Sequence, residues 1–193
     1  MNTSEVMKRI IVKESIESQC ISFMEEKIDR YLEIEHQGII GGHYFAPASS
    51  ECICLYRDGY FIGAVMMSHA INEGIMKFVA ERNDIERHNT DGTTETFAEL
   101  IEEFREKNII SNACADASMR IWKSYRADIH HMNPTVATID FEKLAQQNLK
   151  YLSAKEREIF DFKINNCGAI VPSHPKYWDI NADGTAAVFL RLD

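Results

Sequence analysis

The side chains best suited to chemistry are concentrated between positions 120 and 134. Arg126, His130 and His131 lie there in one run, and Pro134 follows shortly after them. An arginine can bind a phosphate through two parallel hydrogen bonds, and an imidazole takes up or releases a proton near neutral pH. This stretch therefore predicts a site that binds a phosphate and transfers protons.

A helix is expected to position these side chains. Ser111 is a favourable N-cap, and apolar residues recur after it at helical spacing, namely Cys114, Ala117, Ile121, Tyr125 and Ile129. Pro134 has no backbone N–H and disfavours the α conformation of Asn133. The pattern predicts a single helix from Ser111 to about Met132.

The spacing leaves open which histidine accompanies the arginine. On an ideal helix His130 lies one turn after Arg126 and shares its face, whereas His131 is rotated away by about 140°. Unwinding ahead of Pro134 would allow His131 to turn back beside Arg126. A simpler interpretation is that both histidines stabilise a helix C-terminus through its dipole and have no catalytic role.

A basic strip leads to the same point. Arg120, Lys123 and Arg126 follow each other at intervals of three residues, with Trp122 and Tyr125 between them. Cations beside aromatic rings can bind single-stranded nucleic acid by phosphate pairing and base stacking. The alternative is a solvated helix face whose aromatic residues belong to the core.

A second helix carries further candidates. The segment from Tyr60 to about Arg82 is apolar on nearly all sides, which is typical of a central helix. His69, Asn72 and Glu73 lie within it, and buried polar groups need hydrogen-bond partners. We therefore expect these three side chains to form specific hydrogen bonds.

The remaining pattern predicts a mainly α protein, an antiparallel helical bundle with a small C-terminal β-hairpin. Helices are expected at about 4–35, 47–56, 97–107 and from Asp140 onwards, with a restart at the capping-box sequence that begins at Ser153. Short strands are expected at 169–171, 177–178 and 186–190. These elements suggest an N-terminal helical extension (1–43), a helical bundle (44–164) and a C-terminal hairpin (165–193).

Composition narrows the function classes. The formal net charge of −9 over 193 residues argues against broad, nonspecific nucleic-acid binding, although a local basic site is compatible with it. There is no long apolar run and no signal-peptide pattern at the N-terminus, which favours a cytoplasmic protein. The five cysteines lie in apolar settings, Cys52 and Cys54 are too close for a usual zinc knuckle, and no cofactor is predicted.

These features together resemble the HEPN superfamily (higher eukaryote and prokaryote nucleotide-binding domains). Its signature, Arg-x-x-x-x-His at the end of a helix, matches Arg126 and His131. The segment 54–65 resembles the opening helices of that family and the glycine turn between them, and 69–73 resembles a position where several branches have a glutamate. The segments 97–101 and 109–111 resemble the next helix and its turn. The resemblance covers roughly 44–152.

The resemblance implies a metal-independent endoribonuclease of a toxin–antitoxin or phage-defence system, acting on single-stranded RNA as a homodimer. Arg126 would hold the scissile phosphate, and His131 would act as general acid or base while the ribose 2′-OH attacks. Glu73 would orient one of these groups, and Asp128, His130 and Asn133 are the other expected supporting residues. The basic strip supplies the expected RNA-binding residues Arg120, Lys123 and Tyr125.

Other interpretations follow from departures from the pattern. Ala127 stands where the family usually has a polar residue, which favours a non-catalytic module that binds a nucleotide, dimerises, or pairs with a partner protein such as an antitoxin. A purely structural helical protein, with Glu73 and His69 satisfied internally, is a third hypothesis. Arg82 and His88 form a looser version of the same motif in a polar loop.

Overall fold

The computed structural model describes residues 2–85 and 96–191, and most of them are helical. The helices are α1 (Thr3–Ile21), α2 (Met24–Leu32), α3 (Ala46–Arg57), α4 (Phe61–Arg82), α5 (Phe97–Glu106), α6 (Asn112–Trp122), α7 (Arg126–His131) and α8 (Phe141–Ile159). Single 3₁₀ turns lie at Pro134–Thr138 and Pro175–Tyr177. The predicted mainly α class is confirmed.

Four short strands are β1 (Ile39–Gly41), β2 (Phe162–Ile164), β3 (Ile170–Pro172) and β4 (Val188–Leu190). β2 and β3 form an antiparallel hairpin, while β4 pairs antiparallel with β1. A small hairpin is therefore present near the C-terminus, as predicted, but its first strand, β2, lies outside the predicted strands. The β1–β4 pair also joins the proposed N-terminal extension to the proposed C-terminal appendage, and the three-segment division itself stays a prediction.

α4 is the central helix, as its all-round apolar character predicted. It packs against α3, α6, α7 and α8. Its buried apolar residues are Ala64, Val65, Ile71, Ile75, Met76, Phe78, Val79 and Ala80. Burial of this many apolar side chains on one helix makes α4 the element on which the others are arranged.

The predicted helix from Ser111 to Met132 is wrong in one respect, because it is two helices. α6 starts at the predicted cap, where Ser111 Oγ accepts a hydrogen bond from Cys114 N (3.1 Å). The chain then turns at 123–125, where Tyr125 takes a left-handed conformation with φ of 55°. Ser124 Oγ donates to the Ile121 carbonyl (2.6 Å), a hydrogen bond that serine offers in competition with the helix. α7 ends at His131, and Met132 caps it, as Pro134 predicted.

The predicted helix restart at Ser153 is also wrong. α8 begins at Asp140, as expected, with Asp140 Oδ1 accepting from Lys143 N (3.1 Å), but it continues without a break to Ile159. The Ser153 hydroxyl donates to the Glu35 carbonyl instead of capping a helix. A serine with a tertiary acceptor on another element has no reason to interrupt its own helix.

Two further expectations are corrected at the ends of the chain. The N-terminal helical segment is broken at Phe23, whose φ is 62°, into α1 and α2. Tyr177 and Trp178 are not a strand. Tyr177 belongs to a 3₁₀ turn, and both side chains are buried, with the Trp178 ring centre 5.9 Å from that of Phe162. The two neighbouring aromatic residues are therefore explained by burial of their rings, and no strand is needed to account for them.

Candidate functional site

Arg126 lies at the first position of α7 and faces α4. Its Nη2 donates to Glu73 Oε2 (3.3 Å), and its guanidinium carbon lies 4.2 Å from the centre of the Trp122 ring. Glu73 also pairs with Lys77 on the same helix (2.7 Å). The Arg126 side chain is still 36% exposed, so a ligand can reach its guanidinium group.

A second pair of side chains is in contact one helical turn away from the first pair on both helices. His130 follows Arg126 by four residues on α7, and His69 precedes Glu73 by four residues on α4. The Nε2 atom of His130 lies 3.4 Å from Nδ1 of His69, and the ring centres are 5.5 Å apart. Two contacts with the same spacing on both helices therefore place an arginine, a carboxylate and two imidazoles on one strip of surface.

His131 occupies a different place from His130. It is exposed, and within the described residues it makes no hydrogen bond or ion pair. α7 keeps its helical form through His131, so the chain does not turn this side chain back beside Arg126. The spacing left open which histidine lies beside Arg126. In the structure His130, not His131, lies on the same side of α7 as Arg126.

The tautomer of His69 follows from its hydrogen bonds. Ser124 Oγ gives its only proton to the Ile121 carbonyl, so it can act only as acceptor towards His69 Nε2 (2.9 Å). His69 must then carry its proton on Nε2, which leaves Nδ1 as an acceptor for His130 Nε2–H. In the neutral form of His130, Nδ1 is then the ring nitrogen without a proton, and the His130 side chain is exposed.

Ser124, Asn148 and Ser68 join this site without having been predicted from the sequence. Asn148 Nδ2 donates to both serine hydroxyls, at 3.0 Å to Ser124 and 2.9 Å to Ser68. Asn148 is on α8, far from the motif in the chain, and serines give no pattern that marks them as partners. The expectation that His69, Asn72 and Glu73 have specific partners is confirmed, with Asn72 accepting from the buried Lys155 and donating to the Ser118 carbonyl.

Acidification is expected to destabilise the fold through His69. Burial, followed by the charges of His130 and Arg126, lowers the pKa of His69 to about 4. Because the unfolded imidazole titrates near 6.5, the unfolded chain binds more protons between these values, and the free energy of unfolding falls as the pH drops through them, by at most about 3 kcal/mol. Urea unfolding at several pH values between about 7.5 and 4.5 measures the slope.

The variant His69→Gln should make this slope shallower. Part of it should remain, because burial among aromatic rings also lowers the pKa of His43. His43→Phe is the matched comparison and should remove that part. An unchanged slope in His69→Gln would show that His69 is not a buried neutral imidazole.

Asp128 and Asn133 shape the end of α7. Asn133 Nδ2 donates to Asp128 Oδ1 (3.1 Å), and Asn133 N donates to the Asp128 carbonyl (2.9 Å). Between them Met132 takes a left-handed conformation with φ of 50°. These contacts hold the turn that precedes Pro134, and they do not reach Arg126 or His130.

The predicted basic strip is divided by the turn between α6 and α7. Arg120 and Lys123 line a cleft of about 520 Å³ between α6 and α8. Arg120 Nη1 lies 3.4 Å from the Tyr151 hydroxyl. Tyr125 sits at the turn itself, 48% exposed, and Arg126 lies beyond it against α4. The structure thus separates the two cations of the cleft from the arginine of the motif.

The arginine of the looser motif, Arg82, is also held by a carboxylate and an aromatic ring. Arg82 forms an ion pair with Asp179, and its guanidinium carbon lies 4.9 Å from the Phe78 ring centre. His88 lies outside the described residues.

In the part of the chain that the structure describes, no group of three or more His, Cys, Asp or Glu side chains could hold a metal ion. None of the helices in this part of the chain combines the length and apolar character needed to cross a bilayer.

In comparisons with known proteins, no protein-family model, curated protein or solved structure matches this chain.

Proposed function

We propose that this chain is a metal-independent endoribonuclease of the HEPN type, acting on single-stranded RNA as a homodimer in the cytoplasm. One observation carries the proposal, the convergence of Arg126, Glu73, His69 and His130 where α7 meets α4. The sequence resemblance supports it through the motif Arg126-x4-His131. A toxin–antitoxin or phage-defence role belongs to the same proposal.

In this proposal Arg126 binds the scissile phosphate. Its guanidinium group is held by Glu73 and Trp122, so little side-chain entropy is lost when a phosphate replaces part of the Glu73 contact. The charge that develops on the phosphoryl oxygens during attack would be stabilised by this fixed cation. Arg126 would therefore both position the phosphate and stabilise the charge that develops on it.

His130 is the better placed general base. Its Nε2–H is directed to His69, so Nδ1 can accept the proton of the ribose 2′-OH while the hydroxyl oxygen attacks phosphorus. A protonated histidine returns a proton to the leaving 5′-oxygen, and a 2′,3′-cyclic phosphate forms. The exposed His131 is the candidate acid, and in a homodimer with facing motifs it could come from either copy.

RNA cleavage in EDTA tests the proposal. The purified protein should cut single-stranded RNA and leave 2′,3′-cyclic phosphate ends, whereas His130→Ala and His131→Ala should each slow the reaction by about 10²–10⁴-fold. His174→Ala is the control, because that histidine lies near Tyr177, away from α7. Absence of cleavage by the wild type, or equal cleavage by all variants, would reject a ribonuclease at this site.

A second candidate is a non-catalytic module of the same type that binds a nucleotide or a partner protein such as an antitoxin. The observation that favours it is the contact between Arg126 and Glu73, because the carboxylate already neutralises the cation. Ala127 after the arginine supports it too. Expression in a host cell separates the candidates, since an active ribonuclease slows growth and His130→Ala relieves that effect, whereas a module gives equal growth with both.

A further inference from the structure

The cleft between α6 and α8 has a polar inner wall and a basic, aromatic rim. Its volume of about 520 Å³ lies in the range of small-molecule sites. Ser124 and Asn148 form the inner wall, and Arg120, Lys123, Gln147 and Tyr151 are among the residues nearer the opening. The cleft is distinct from the strip of Arg126 and His130, but it shares Ser124 with the hydrogen-bond network of His69.

Asn148 offers a free acceptor at this wall. The Ser68 and Ser124 hydroxyls give their protons to the carbonyls of Val65 and Ile121, so both require a donor from Asn148. This requirement fixes the amide orientation, with Nδ2 on the serines. Its Oδ1 accepts no hydrogen bond from any described residue, although the side chain is only 1% exposed.

An acceptor in this position is available to a ligand. Asn148 lines the cleft and is almost fully buried as a residue, but its Oδ1 is not sealed from solvent, so a ligand donor would replace water there. The N–H groups on the edge of a nucleobase are donors of the right kind. A neutral amide oxygen favours such a group over an anion, which would be repelled.

The rim supplies the other contacts that a nucleotide requires. Tyr151 presents a phenol ring, and the Arg120 guanidinium carbon lies 5.8 Å from its centre. Lys123 is exposed at the end of α6, where it forms no ion pair with a described residue. Asp116 also lines the cleft, but its carboxylate is engaged by Arg105 (2.8 Å). Cations beside a ring suit phosphate pairing and base stacking.

We propose that this cleft binds one nucleotide of a single-stranded RNA. The base edge donates to Asn148 Oδ1, the base stacks on Tyr151, and the neighbouring phosphates pair with Arg120 and Lys123. This inference rests on the proposed function for its ligand class. It gives the RNA a binding subsite on the far side of Ser124 from His69.

Binding of an uncleavable RNA tests the cleft without catalysis. The probe is a fluorescein-labelled 2′-O-methyl hexauridylate, whose blocked 2′-oxygens cannot attack, and the readout is anisotropy in EDTA. Tyr151→Leu, which keeps bulk but removes the ring, should weaken binding about tenfold. Arg120→Ala/Lys123→Ala should also weaken it and reduce the slope of log K against log salt by about 1.4, since each phosphate pairing on a single strand contributes about 0.7.

The matched control is Lys8→Ala/Lys163→Ala, which removes two exposed cations away from the cleft and should leave binding unchanged. Circular dichroism melting confirms that each variant folds. Uridine monophosphate and inorganic phosphate are tested as competitors of the labelled RNA. Only the nucleotide should displace the RNA, because the acceptor on Asn148 requires a base.

The outcomes separate this inference from the proposed function. RNA cleavage that depends on His130, with hexauridylate binding unaffected by the cleft variants, would overturn the cleft and leave the ribonuclease standing. Binding that the cleft variants weaken, without any cleavage, would support the cleft and reject the ribonuclease. Competition by phosphate as strong as that by the nucleotide would overturn the base contact.

Discussion

Replacing Arg126 with alanine is expected to lower kcat/KM for RNA cleavage by about 10²–10³-fold, the effect of losing one fixed group that stabilises developing charge. The fold should survive, since the side chain is partly exposed and its contact with Glu73 is one ion pair near the surface. Arg126→Lys should recover only part of the loss, because an ammonium lacks the planar fork that binds two phosphate oxygens. Steady-state cleavage of a labelled RNA in EDTA is the measurement.

Arg82→Ala is a closely matched control for this prediction. Arg82 also pairs with a carboxylate, that of Asp179, and also stacks on an aromatic ring, that of Phe78. Its replacement removes the same charge from a similar setting and should leave kcat/KM within about twofold of wild type, as surface substitutions away from a site usually do. A loss in Arg82→Ala with none in Arg126→Ala would move the site to the looser motif.

Replacing Glu156 with leucine is expected to reduce the free energy of unfolding by about 3–5 kcal/mol, the usual cost of removing one partner of a buried ion pair. Arg191 Nη2 donates to Glu156 Oε2 (2.7 Å), with side-chain exposures of 0% and 2%. Ser49 Oγ donates to the other carboxylate oxygen (2.5 Å). The variant leaves the Arg191 guanidinium group buried without its carboxylate partner. Urea unfolding measures the resulting loss in the free energy of unfolding.

Arg157→Ala on the same helix is the control. Its pair with Glu35 is exposed, so the loss should be below about 1 kcal/mol. The double variant Glu156→Leu/Arg191→Met should recover much of the stability, because it removes both charges and leaves apolar side chains. If Glu156→Leu unfolds as the wild type does, the buried pair does not connect the C-terminal strand to α8 as described.

Several features could be predicted from the sequence because their causes are local. The four apolar residues Phe97, Leu100, Ile101 and Phe104 are all buried along α5, as their spacing predicted. Caps at Ser111 and Asp140 were foreseen, since an N-cap side chain bonds within its own turn. Pro134 predicted the end of α7 for the same local reason. Its ring removes a backbone N–H, and it disfavours the helical conformation of the residue before it.

Breaks in helices without glycine or proline could not be predicted in this way. Phe23 and Tyr125 both take left-handed conformations that their side chains do not favour. For Tyr125, the neighbouring Ser124 is held by His69 and Asn148 from two other helices. Tertiary hydrogen bonds, rather than local preference, accompany the turn that separates Arg126 from Arg120.

The helical class, the central helix and the stretch that holds Arg126, His130 and His131 could be predicted from residue types and their spacing, because these patterns act over one or two turns. The contact of His130 with His69, the link to Asn148 through Ser124 and the pairing of β1 with β4 became visible only in the folded chain. These contacts join residues far apart in the chain. They depend on how whole elements pack, and no short pattern of residue types encodes that packing.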